Sequence, residues 1–305
     1  MKIKTGTHLK FAIALVAMVA TVGCGPKPET VLAWTEKDTK AAVKDGSVKI
    51  RDINVTGTGG STHIRVVTPS SSTSSKLPVV FVAPAGTRLY HGNVLSEGDT
   101  AELVPYAKAG MISVGYELDG DMPSEQPGNQ EMQNAMKAFK TSNGGLRNAQ
   151  QAMEYVLANI PGVNPDKIYV AGHSSAANVA IHVATNDPRI KACAAFAPAG
   201  DVVSRLSGYM ELLERASPGE RDFLSRTSPI NEIVRVKCPI MLFHAQDDDN
   251  IPISDHEALA AKVGGRTDIL NVVVPHGGHY NSMIKEGIPQ AIKWFKGEAG
   301  HGISP

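Results

Sequence analysis

The sequence predicts an α/β fold: a mostly parallel central sheet of about eight strands, with helices on both faces. Two observations carry this. From residue 78 onwards, short continuous apolar runs recur, and amphipathic helical patterns separate them. Strands that are apolar on both sides need cover on both sides, as in the layers of a parallel sheet. Size agrees, because 305 residues that are 42% hydrophobic and 20% charged can bury one large core.

Taken in order, residues 1–10 carry Lys2, Lys4 and Lys10, and residues 11–20 read FAIALVAMVA. Thr21, Val22, Gly23 and Cys24 follow. A basic start, a short apolar run and small residues form a secretory signal. The run is too short to span a bilayer comfortably. The Gly23-Cys24 junction resembles a bacterial lipoprotein cleavage site, with Thr21 standing where such sites usually carry Leu. The resemblance implies that Cys24 becomes the lipidated first residue and the membrane anchor. The expected organisation is a signal at 1–23, a polar tether and lead-in at 24–46, and one domain at 47–305. The expected location is the cell envelope, facing the periplasm or the exterior, with ordinary secretion as the alternative.

Residues 47–55 (SVKIRDINV) and 62–68 (THIRVVT) alternate apolar and polar, with GTGG at 57–60 between them, which reads as a hairpin. A phosphate cradle is excluded, because no Gly-Lys-Ser/Thr follows and no helix opens there. After the polar loop 69–75, buried-type strands fall at 78–83, 111–115, 168–171, 192–197, 239–243 and 269–274. Helical spacing marks 146–160, through Leu146, Ala149, Met153, Val156, Leu157 and Ile160, and also 286–296. Gly200 to Lys237 is longer than a normal crossover and holds two helical pieces, so it forms a short helical insertion.

Charge and composition exclude other classes. Lys+Arg and Asp+Glu are 30 each, and aromatic residues are 5%. A neutral chain poor in aromatics has neither the basic footprint nor the stacking surface of a nucleic-acid binder. Apart from Cys24, the cysteines are Cys193 and Cys238, both in apolar strand-like runs where buried thiols are common.

The chemistry concentrates at strand ends. Residues 168–178 read IYVAGHSSAAN: a strand running into Gly172, then Ser174, then a helix. A serine on such a corner projects its hydroxyl from the sheet edge, and its neighbours must be small. The pattern is G-x-S-x-G with Ala176 in the last place. A serine nucleophile needs a base, and the base an orienting carboxylate, in the chain order Ser, acid, His. After the strand PIMLF comes His244-Ala-Gln-Asp247-Asp248-Asp249-Asn250-Ile251-Pro252, and after ILNVVV comes Pro275-His276-Gly-Gly-His279-Tyr280. Open parallel sheets place their sites at such carboxyl ends. A zinc reading of His276, His279, His244 and the three Asp residues competes for the same groups. The triad uses them better, so no metal and no cofactor is assigned. Glu117, Asp119 and Asp121 offer too few ligands for a calcium loop and read as an acidic rim.

These stretches resemble the α/β-hydrolase superfamily, closest to its prolyl oligopeptidase and dienelactone hydrolase branches. NPDKIYVAGHSSAA is similar to their elbow, TSPINEIVRVKCPIMLFHAQDDDNIP to their acid loop and PHGGHY to their histidine loop. The family's acid loop reads H-G-x-x-D-x-x-V-P. Laid on His244 and Ile251-Pro252, it puts the carboxylate on Asp248, with Asp247 and Asp249 on the solvent side. The base falls on His279 rather than His276. The resemblance thus implies a Ser174-Asp248-His279 triad. The oxyanion hole would be built from the N–H of Ser175 and of either Gly86 or Thr87. Tyr90, His91 and His173 are candidate pocket residues. It implies an exported serine hydrolase that cleaves a small carboxylic ester through an acyl-enzyme. A prolyl oligopeptidase-like peptidase is the alternative, although the chain lacks room for the propeller that usually screens peptides. A non-catalytic binding protein on the same scaffold is a third reading.

Overall fold

The computed structural model describes residue 44 and residues 46–57, 60–71, 76–124 and 126–297. The expected signal, Cys24 and nearly all of the tether lie outside the described residues. The sheet has eight strands: β1 (Val48–Gly57), β2 (Gly60–Pro69), β3 (Leu77–Val82), β4 (Ile112–Tyr116), β5 (Val163–His173), β6 (Ala192–Phe196), β7 (Ile240–Ala245) and β8 (Ile269–Val274). Their spatial order is β1-β2-β4-β3-β5-β6-β7-β8. The leading hairpin is antiparallel, from Val48 opposite Pro69 to Gly57 opposite Gly60, and β2 also runs antiparallel to β4. All other pairings are parallel. The carboxyl ends of β3, β5, β6, β7 and β8 therefore share one edge.

Two cores explain the continuous apolar runs. Successive side chains of a strand point to opposite faces. Val79, Phe81, Ile168, Val170, Ile240 and Leu242 enter one core, and Val80, Val82, Tyr169, Ala171, Met241 and Phe243 the other. The second core also takes apolar residues of α1 (Glu97–Lys108), and the first those of α2 (Asn129–Thr141), α3 (Leu146–Asn159) and α4 (Ser175–Asn186). The second core closes on Trp294 and Phe295. The Phe295 ring stacks on Tyr169 at 4.5 Å, and the Tyr169 hydroxyl donates to the Phe295 carbonyl at 3.2 Å. The segment between β6 and β7 folds into four short helices and two 3₁₀ turns, more pieces than the two read from its pattern.

Some details differ from the sequence reading. β5 begins at Val163, five residues ahead of the predicted start, because Val163 pairs with Leu77 despite the polar residues after it. The helical pattern at 286–296 resolves into a π-turn (Met283–Gly287) and a helix (Ile288–Phe295). Glu117 is not a rim residue. Its carboxylate accepts the Leu95 N–H at 3.1 Å and meets His63 Nδ1 at 3.2 Å, so it serves the fold. Cys193 and Cys238 are both buried and unpaired.

Candidate active site

β5 delivers the chain to His173, and α4 starts at Ser175. Ser174 is the corner between them, at φ 56°, ψ −123°. A side-chain-bearing residue there stores about 1–3 kcal/mol of strain. Backbone hydrogen bonds hold it in place: Ser174 N–H to the Phe196 carbonyl at 2.9 Å, and Ala177 N–H to the Ser174 carbonyl at 3.0 Å. Gly172 makes the corner sterically possible, because a Cβ on it would lie 2.1 Å from the Ala176 carbonyl oxygen. The small residues of the motif are thus required by backbone contact.

The acid loop leaves β7 and folds back on itself. His244 is fully buried, and its Nε2–H donates to the Ile251 carbonyl at 2.8 Å, which closes the loop. Inside that closure, Asp248 Oδ1 accepts the N–H groups of Asn250 and Ile251, both at 2.9 Å. Its Oδ2 meets His279 Nδ1 at 2.7 Å, and the Asp248 side chain is only 1% exposed. A carboxylate can only accept, so Nδ1 carries the proton and Nε2 keeps its basic lone pair. Burial pushes the Asp248 pKa up. Hydrogen bonds from His244 and His279, and the charge of His279, outweigh burial and hold the carboxyl well below its ordinary range.

Asp247 corrects the expectation of a merely solvent-side neighbour. It is partly exposed, yet its carboxylate accepts Gly278 N–H at 2.8 Å and Gly277 N–H at 3.1 Å. These two amides, Gly278 above all, keep its pKa below the usual value. Both glycines have positive φ, 127° and 60°, and a Cβ on Gly277 would press Ser282 at 2.9 Å. Asp247 thereby pins the backbone that presents His279. Asp249 is exposed, as expected, and His276 is 86% exposed.

His173 is a second correction. It is 4% exposed and does not line a substrate pocket. Its Nε2–H donates to the His279 carbonyl at 2.8 Å, and the two rings lie 4.4 Å apart. Burial, reinforced by the nearby His279, lowers its pKa to about 3, so it is a neutral donor. Because His173 directly precedes Ser174, this contact brings His279 to the elbow. Tyr90 and His91 also turn inward, at 2% and 6% exposure. His91 spans its own loop, with Nδ1–H to the Gly92 carbonyl at 2.7 Å and Nε2 accepting Arg88 N–H at 3.1 Å. That loop brings Thr87 N–H to 3.2 Å from the Ser175 hydroxyl oxygen, after a turn at Gly86 with φ 89°.

The sequence reading missed a buried pair beside the elbow helix. His182 Nδ1 meets both oxygens of Glu232, at 2.8 and 2.9 Å, and its Nε2 meets the Asn143 carbonyl at 2.8 Å. No motif joins these residues, which are 50 and 39 positions apart.

The model of the prolyl oligopeptidase family matches residues 102–302. No curated protein matches the chain. Among solved structures, a Klebsiella pneumoniae subsp. pneumoniae protein provisionally described as a dienelactone hydrolase superposes with TM-score 0.63 at 15% identity, over 82% of this chain and 98% of its own. Acetyl xylan esterase from Paenibacillus sp. R4 gives 0.59 at 18%, over 91% and 98%. Pyrococcus horikoshii acylaminoacyl peptidase gives 0.64 at 15%, over 85% of this chain but 43% of its own. At such identities the likeness is one of fold, and that fold is the α/β-hydrolase fold.

Two predictions follow from the packing at the elbow. Gly172→Ala forces a backbone overlap and should destabilise by about 3 kcal/mol or more; an unchanged Tm would contradict the corner geometry. The second concerns acid. Burial lowers the pKa of His91 and His256 to about 4, as it lowers His173. An unfolded histidine takes its proton near 6.5. Through these three histidines the unfolded chain binds more protons below that pH, and their contribution to stability falls as the pH drops from 6.5 towards 3. Buried Glu102, with its pKa raised by burial to about 8, acts in the opposite sense between pH 8 and 4.5, so each histidine is compared with its Gln variant. At pH 4.5, His173 alone should account for a loss of about 3 kcal/mol. Urea unfolding at pH 7.5 and 4.5 checks this, with a fall no larger in wild type than in His173→Gln as the contrary result.

Proposed function

The chain belongs to the prolyl oligopeptidase family, and we propose that it cleaves carboxylic esters, with Ser174 as nucleophile, His279 as base and Asp248 as its orienting acid. The observation that carries this reading is the 2.7 Å bond between buried Asp248 and His279, on a ring packed against the residue before Ser174. Ser174 Oγ attacks the acyl carbonyl carbon while His279 Nε2 takes the hydroxyl proton. Asp248 keeps the Nδ1–H in place and stabilises the imidazolium. The oxyanion is held by the Ser175 N–H at the helix start, where the dipole also favours negative charge. The second donor comes from the facing loop, the N–H of Gly86 or of Thr87; the Thr87 N–H donates to the Ser175 hydroxyl oxygen at 3.2 Å after a turn at Gly86 of positive φ, which holds that loop against the helix start. The tetrahedral intermediate collapses, and His279 passes its proton to the leaving alcohol. Water then attacks the acyl-enzyme with the same base, releasing the acid and restoring Ser174.

The family match and the likeness to acylaminoacyl peptidase favour a second reading, a peptidase. The chain corresponds to less than half of that peptidase's length. A panel of activated esters, lactones and blocked peptides separates the two by relative kcat/KM. The non-catalytic reading falls if a fluorophosphonate labels the protein.

Ser174→Ala should abolish that labelling and lower kcat by about 10⁴ or more, while Ser175→Ala still labels. Asp248→Asn should cost about 10⁴. Asp247→Asn, which loses one of two backbone anchors, should cost roughly 10- to 100-fold, and Asp249→Asn should match wild type. A drop confined to Asp249→Asn would overturn the acid assignment.

The location proposed from the sequence is the cell envelope, with lipidated Cys24 as the anchor to a membrane. Wild-type protein should then partition with membranes and Cys24→Ser should not. A mature terminus at another residue, found by mass spectrometry, would refute lipidation.

A further inference from the structure

The helical insertion reaches across to the acid loop through one side chain. Arg205 ends the short helix Val202–Arg205, and its Nη2 donates to the Asn250 carbonyl at 2.9 Å and to Asn250 Oδ1 at 3.1 Å. Arg205 and Asn250 are 45 positions apart and both half-buried. The root of that helix is itself fixed. Asp201 caps it by accepting the Ser204 N–H at 3.0 Å, and the Val202 N–H donates to Ser228 Oγ at 3.1 Å. Just before it, the Gly200 N–H donates at 3.0 Å to Asp255 Oδ2, in the first turn of the helix Ile253–Val263 that follows the acid loop. The guanidinium therefore starts from a backbone with little freedom.

What the contact does follows from peptide geometry. The Asn250 carbonyl and the Ile251 N–H belong to one planar trans peptide group and point in opposite directions. That N–H donates to Asp248 Oδ1 at 2.9 Å. Arg205 thus grips one side of a plate whose other side holds the acid. Turning the plate, by ψ of Asn250 and φ of Ile251, breaks both bonds at once. The Asn250 N–H, on the preceding peptide, donates to the same Asp248 oxygen at 2.9 Å. Both amides that fix Oδ1 therefore flank the residue that Arg205 holds. A cation on a carbonyl also polarises the amide and strengthens its N–H as a donor. Oδ2 is then left turned towards His279 Nδ1.

We infer that Arg205 is a positioning residue for the orienting acid: it fixes the Asn250–Ile251 peptide and, through it, the carboxylate that holds His279. The inference rests on the triad reading given above. It gives the root of the helical insertion a part in the chemistry by way of the acid loop. Lysine is a poor substitute, because one ammonium lacks the planar guanidinium that meets two oxygens of Asn250 together.

The test is kcat and KM of the full-length protein on p-nitrophenyl acetate, with fluorophosphonate labelling of wild type beside it. Arg205→Ala should lower kcat about 10- to 100-fold with KM little changed, and Arg205→Lys should recover part of the loss. Asn250→Ala keeps the backbone carbonyl and should lose less than Arg205→Ala. Arg215→Ala, in the same insertion but bonded to the Glu211 carbonyl of its own helix, should match wild type. In an Asp248→Asn background, Arg205→Ala should cost little more, because its path ends on the missing carboxylate. The His279 Nδ1–H resonance, assigned by its absence from His279→Gln, should move upfield or exchange away in Arg205→Ala and stay in place in Arg215→Ala. Where Arg205→Ala does not fold, Arg205→Lys and Asn250→Ala carry the same comparison. Full kcat in the Arg205 variants would overturn the inference. So would a loss that multiplies with Asp248→Asn while the Nδ1–H signal stays put. In either case an enzyme that labels and turns over ester keeps the triad reading. A wild type that does neither removes both.

Discussion

The hydrogen bond from His279 to Asp248 is the interaction around which the site is arranged. It joins a loop residue to one in the first turn of the short helix Gly278–Ser282, 31 positions apart in the chain, at 2.7 Å. A bond of that length between two separate segments exists only if both backbones are fixed to a few tenths of an ångström. The surrounding contacts do that. His244 closes the acid loop on Ile251, Asp247 fixes Gly277 and Gly278, and His173 fixes the His279 carbonyl. The two anchors of His279 are the sequence neighbours of Asp248 and Ser174. Each proposed triad partner thus brings a second residue that holds the base's main chain.

The sheet makes this economical. Parallel strands deliver several chain segments to one edge, while two cores lock the strands from both faces. At that edge strain falls on single residues, Ser174 after β5 and Ala197 after β6. Burial is also used for electrical purposes. His173 and His91 sit inside and stay neutral, so they act as fixed hydrogen-bonding groups, His173 near the Asp248 carboxylate that is kept ionised and His91 within its own loop. The arrangement spends stability on geometry, and acid exposes that cost first.

Much of this was legible in the sequence, and the limits have physical causes. Eight strands, the hairpin and the order of the candidate groups follow from periodicity and from the position of each group just past a strand. The spacing from His244 to Ile251-Pro252 picked Asp248, because the loop closes between those ends. Side-chain direction in loops was not legible. Tyr90, His91 and His173 look like pocket residues in sequence but are buried: His91 hydrogen-bonds within its own loop, and His173, at the end of β5, bonds to the His279 carbonyl of a distant segment. Asp247 looks like a solvated neighbour, and its partners are two backbone amides that have no letter in the sequence. The His182–Glu232 pair is invisible for a related reason: it depends on how the insertion packs on α4.

The adjacency of Asp247 and Asp248 has a consequence for how such a chain can vary. The two carboxylates work as a two-pin connector, one pin in the ring of His279 and the other in the backbone just ahead of it. Shifting the acid loop by one residue would move both pins together and misseat both. Loop length here is therefore tightly constrained. A change of length in the helical insertion beyond Arg205 would leave both pins where they are, whereas a change between His244 and Pro252 would not.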